Sequence, residues 1–75
     1  MKFIEMTGKT LFDIVTNDEF SEDDLRAVGI EEETLIRVNQ QGDIEVRRDN
    51  GWDIVGGLIG DFHDRIRRQT GLDWS

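Results

Sequence analysis

The chain has 75 residues, a formal net charge of −8, one histidine, and neither cysteine nor proline. That length bounds it to one small α+β domain over residues 1–75, and the missing residue types exclude disulfides, thiolate metal sites and histidine clusters. No apolar run approaches the ~20 residues of a membrane span, and the acidic balance opposes direct contact with nucleic acid or anionic lipid.

The opening residues MKFIEMTGK lack the hydrophobic stretch of a signal peptide, so a cytoplasmic protein is expected. Residues 2–6, KFIEM, are β-permissive and form a candidate fourth strand at a sheet edge. The letters GKT at 8–10 resemble part of a phosphate-binding loop, but that loop needs a glycine where Phe3 stands. A short helix from Leu11 to Thr16 is expected instead, capped by Thr10 with Asp13 in a capping box.

A second helix is expected at 22–28. Ser21 is its N-cap, Asp24 completes a capping box, and Glu22 and Asp23 favour the positive end of the helix dipole. Phe20 staples onto Leu25, Gly29 takes the left-handed position past the end, and Ile30 folds back on Leu25. Glu31, Glu32 and Glu33 follow as a helical turn or an acidic loop. With Glu22, Asp23 and Asp24 they place six carboxylates in twelve residues. The alternating ligands and central glycine of a calcium loop are missing. The expected role is a solvated acidic surface able to dock a basic partner.

Residues 34–57 read as a three-stranded antiparallel meander. A three-residue loop at Gln40-Gln41-Gly42 sets Val38 opposite Ile44, Ile36 opposite Val46 and Arg37 opposite Glu45, which keeps apolar residues on one face. The same loop type at Asp49-Asn50-Gly51 sets Val46 opposite Ile54, Arg47 opposite Asp53 and Arg48 opposite Trp52. One face then carries Ile36, Val38, Ile44, Val46 and Ile54, running into Arg48 and Trp52. The other carries Arg37, Glu45, Arg47 and Asp53, with Leu35 and Val55 as apolar exceptions.

A last helix is expected from Leu58 to Thr70, packed on one sheet face through Leu58, Ile59, Phe62 and Ile66. Asp61–Arg65 and Asp64–Arg68 have i,i+4 spacing. Gly60 is a small residue within that helix. Gly71 stops it, and Leu72 folds back towards Ile66 or Arg67. His63 falls beside the apolar face, with no nucleophile specified near it. Trp74 is too large and apolar for a solvated tail and is expected on the core or at a protein interface.

The fold class is therefore α+β: two short N-terminal helices, a three-stranded meander with residues 2–6 as a fourth candidate strand, and a C-terminal helix. The functional expectation is a small acidic, non-catalytic protein-interaction module with no cofactor. Its candidate partner-binding residues are Glu22, Asp23, Asp24, Glu31, Glu32, Glu33 and Trp74. The partner is a protein with a basic surface, or a second copy through a sheet edge. An acidic mimic of nucleic acid, occupying the cleft of a basic DNA- or RNA-binding protein, is the alternative. A winged-helix DNA reader is opposed by the net charge and by arginines that already face carboxylates or an indole. An enzyme is opposed by the small core, which leaves little room for a dry pocket.

Overall fold

The computed structural model describes residues 2–74. The chain runs β1 (Phe3–Thr7), α1 (Gly8–Ile14), α2 (Glu22–Ala27), β2 (Leu35–Asn39), β3 (Asp43–Arg48), β4 (Gly51–Gly57) and α3 (Phe62–Thr70). The four strands form one antiparallel sheet in the order β1-β2-β3-β4. Residues 3–7 thus supply the fourth strand, extending the three-stranded expectation.

Alternation builds the core. Ile4 and Met6, Ile36 and Val38, and Ile44 and Val46 point to one face, with Ile4 opposite Val38 and Met6 opposite Ile36. The inner face is covered by Leu11 and Ile14 of α1, Leu25 of α2, Ile66 of α3, and Ile30, Leu58 and Trp74 from the connections. Phe12, Val15, Phe20, Val55 and Phe62 pack against this cluster. Burying a side chain of this size contributes about 1.5–3 kcal/mol against chain entropy.

The first hairpin forms with the expected three-residue loop and register, Gly42 taking φ 92°. Asn39 supports it: its Oδ1 accepts from the Gln41 and Asp43 backbone N–H groups at 3.0 Å each, and its Nδ2 donates to Asp43 Oδ2 at 3.0 Å.

The second hairpin differs. Arg48 pairs with Gly51, Arg47 with Trp52, Val46 with Asp53 and Glu45 with Ile54, so Asp49 and Asn50 alone form the loop. Losing one loop residue turns every β4 side chain over. Trp52 and Ile54 move to the outer face, where Ile54 is 63% exposed, and Asp53 moves to the inner one. An irregularity between Ile44 and Glu45 then shifts the register, so that Ile44 faces Gly56, while Val55, on the same face as Asp53, packs on the core. Gly56 makes room for Phe20: a Cβ there would stand 2.6 Å from the ring.

The helix ends also shift. α1 begins three residues before Leu11 and is capped by Thr7, whose hydroxyl accepts from the Thr10 N–H at 3.4 Å. Tertiary bonds fix this start: Gly8 N–H donates to Thr34 O at 2.8 Å and Lys9 N–H to Glu32 O at 2.9 Å. α2 forms as expected, with both arms of the Ser21–Asp24 capping box made. Gly29 takes φ 89°, and Ile30 N–H returns to Leu25 O at 3.0 Å. α3 starts at Phe62 rather than Leu58, because Leu58 N–H bonds Gly42 O at 2.8 Å and draws residues 58–60 along the sheet end. Gly60 lies outside the helix with φ 69°. Gly71 caps α3 in the left-handed region, but Leu72 is 53% exposed and does not fold back. Asp64 pairs with Arg67, not Arg68, while Asp61 pairs with Arg65 as expected.

Candidate interaction surfaces

Glu22, Asp23 and Asp24 sit in the exposed first turn of α2, and Glu31, Glu32 and Glu33 form the exposed turn before β2. Arg26 ties the two segments together: its Nη2 lies 3.5 Å from Glu22 Oε2, its Nη1 bonds Glu31 Oε2, and its guanidinium stands over the Phe12 ring. Asp24 is occupied by the helix cap, accepting from Ser21 N–H at 3.0 Å. Asp23, Glu32 and Glu33 form no salt bridge among the described residues and face solvent.

Trp74 is placed differently from these carboxylates. It is buried, and its indole Nε1–H donates to Val38 O at 3.0 Å. A backbone acceptor on β2 and a ring nest made by Phe62 and His63 hold it, with centroids 6.2 and 4.9 Å away. In the folded chain it is a core residue and not an exposed contact. His63 Nε2 lies 2.9 Å from Gln40 O, tying α3 to the first hairpin. Among the described residues no group of three or more His, Cys, Asp or Glu side chains could hold a metal ion. No helix there is long and apolar enough to cross a membrane.

Two constellations go beyond the sequence reading, although the Arg37–Glu45 pairing within the second was expected. The first is a buried ion pair. Glu19, in the connector between α1 and α2, is fully inaccessible at its side chain, and Arg65 of α3 is 10% accessible. The two meet twice, Nη1 to Oε1 and Nη2 to Oε2, each at 2.8 Å. Arg65 uses all five donors: Nε reaches Asp61 Oδ1 at 2.9 Å, Nη2 also reaches Ile59 O at 2.7 Å, and Nη1 also reaches Ile14 O. Glu19 further accepts from Thr16 N–H at 2.9 Å and Ile59 N–H at 2.6 Å. Burial pushes the Glu19 carboxyl up, but the bonds from Arg65, Ile59 and Thr16 and the Arg65 charge prevail and hold its pKa at about 2. The pair clamps the connector to α3 and to the strand-to-helix link. Its only sequence trace is Thr16-x-x-Glu19, a capping-box spacing with no helix starting there.

The second lies on the outer sheet face. The Arg37 guanidinium sits 3.6 Å from the Phe3 ring centroid and 4.2 Å from that of Trp52, between two aromatic side chains. Its Nη2 also donates to Glu45 Oε1 at 3.0 Å, and Arg47 stands 5.7 Å from the Trp52 ring. The register explains the assembly, since Glu5 faces Arg37, Arg37 faces Glu45 and Arg47 faces Trp52 across neighbouring strands. The corrected β4 register, which brings Trp52 to this side, is what completes it.

A groove of about 420 Å³ separates α2 from β4, with Phe20, Leu25, Ile44 and Val55 on its floor and Asp24 at its rim. No protein-family model matches the sequence, and neither the curated proteins nor the solved structures contain a match.

Proposed function

We propose that this chain is a small acidic protein-interaction module that docks a basic protein surface through the end of the molecule formed by α2 and the 31–33 turn. One observation carries the reading: Arg26 gathers two acidic segments onto one surface, yet leaves Asp23, Glu32 and Glu33 facing solvent without an ion pair among the described residues. Carboxylates on a short capped helix and on the turn before β2, joined through Arg26, form an acidic ridge. Such a surface steers a cationic partner and contributes more to encounter rate and specificity than to affinity.

The test is capture from native lysate at low salt, with elution by rising salt and identification by mass spectrometry. The expected result is a basic protein released at modest salt and lost when Asp23→Asn, Glu32→Gln and Glu33→Gln are combined. Undiminished capture by the triple variant, or no basic partner at all, rejects the proposal. A captured DNA- or RNA-binding protein that an oligonucleotide displaces from the ridge favours the mimic form of the same docking.

A further inference from the structure

We propose that the outer face of the sheet is a self-association surface, through which two copies pack face to face about a two-fold axis. All three helices contribute to the core on the other side, so no helix among the described residues covers this one, where only Asn39 and Glu45 are buried. It exposes Leu35 at 40% and Ile54 at 63%, beside the half-buried rings of Phe3 and Trp52. Aromatic side chains and arginine are the types enriched at the centres of protein interfaces. Here they are already fixed. Arg37 is held between two rings and bonded to Glu45, so little side-chain entropy remains to be lost on contact.

Charge selects the occupant. Across the middle of the face stand two carboxylates, exposed Glu5 and buried Glu45, and two guanidinium groups, Arg37, which is paired with Glu45, and exposed Arg47. Asp43, at the end of β3, is drawn into the hairpin by Asn39. The face is thus close to neutral, while the chain as a whole carries −8. Two copies meeting elsewhere bring acidic surface against acidic surface. With Asp43 counted, the face carries three carboxylates against two guanidinium groups, so two copies meeting here repel far less than elsewhere and have both signs available for pairing across a two-fold axis. Phosphate backbones lack this match. They would need a positive field, and this molecule supplies a negative one.

Size sets the strength. Four strands at ~4.8 Å spacing and about six residues at ~3.3 Å rise give a face of roughly 400 Å² in projection. Two such faces together amount to on the order of 800 Å², below the standard size of a stable interface, so a weak, concentration-dependent dimer is expected rather than an obligate one. Salt gives it a distinctive sign. The copies repel at long range, and screening that repulsion strengthens the dimer, whereas docking of the acidic ridge to a basic protein weakens with salt.

The experiment is sedimentation equilibrium of the full chain, from micromolar to near-millimolar protein, at low and physiological salt. The expected result is a monomer–dimer equilibrium that tightens with salt. Ile54→Glu should weaken it at least about tenfold, with an unchanged circular dichroism spectrum and a modestly lowered melting curve, because position 54 is exposed but faces Glu45 across the strands. Leu35→Ser should weaken it too, and Glu32→Gln should not. A monomer at every concentration, or a dimer indifferent to Ile54→Glu, overturns the proposal. So does an oligonucleotide or a different protein occupying this face while the chain itself stays monomeric.

Discussion

Replacing Glu19 by glutamine removes one charge from the buried pair and keeps its shape. The carboxyl is held at about 2 against an ordinary 4.5, and each unit of such a difference is worth ~1.4 kcal/mol. The ionised form therefore contributes roughly 3 kcal/mol. Because the folded value is the lower one, this contribution is complete above pH 4.5 and is lost as pH falls towards 2. Glu19→Gln removes it at neutral pH. It also sets an amide N–H₂ against the donors of Arg65 or Ile59, leaving a buried guanidinium short of acceptors, a loss of about 3–5 kcal/mol in comparable pairs. For a domain of this size that is a large part of the total stability. Urea unfolding followed by fluorescence at pH 7 and pH 3 reads it. The variant should be destabilised by about 3 kcal/mol at pH 7, and the gap between the two proteins should shrink towards pH 3. Comparing the two cancels the other carboxylates, whose titration and relieved repulsion are common to both. A loss under about 0.5 kcal/mol at pH 7, the range of ordinary surface changes, or parallel acid limbs, would refute the reasoning.

Gly8→Ala should be among the most damaging small changes. Its Cβ would stand 1.9 Å from Glu31 O and 2.9 Å from Ile30 Cγ2, and the backbone bonds to residues 32 and 34 prevent retreat. A loss of at least about 2 kcal/mol in a thermal melt is expected, whereas Lys9→Ala on the exposed side of the same turn should change little. Trp74→Phe deletes the donor to Val38 O while keeping most of the ring, and should lower stability by about 1–2 kcal/mol. A melting curve equal to that of the original chain would show that solvent, not the indole, satisfies that carbonyl.

The parts legible in the sequence were those decided within a few residues. The Ser21–Asp24 box, Gly29 and Ile30 define α2 through local bonds alone. The first hairpin followed from pairing Val38 with Ile44 and Ile36 with Val46. The second hairpin misled for a physical reason. Gly51 uses its φ of 135° as the first strand residue and not in the loop, which sends Ile54 outward and Val55 inward. Either loop leaves one apolar residue of this adjacent pair on the core, so alternation cannot choose between them. Thr10 was the expected cap of α1; Thr7 caps it instead, and that choice rests on bonds to Glu32 and Thr34, remote in sequence. The acidic ridge was visible as composition. Glu19–Arg65 was not, since its partners lie 46 positions apart and each resembles an ordinary surface charge.

The order of the strands along the chain also bears on how the fold closes. β2, β3 and β4 follow one another through loops of two and three residues, but β1 meets β2 only after a detour of 27 residues holding both α1 and α2. Loop-closure entropy rises as about (3/2)RT ln n, which makes the β1 pairing roughly 2 kcal/mol harder to initiate than either hairpin. The hairpins are the natural nucleus, and β1 is the strand whose docking waits on the helices. Gly8, pressed against Glu31 and bonded to Thr34 O at the junction of β1 and α1, is where that last pairing is fixed in place.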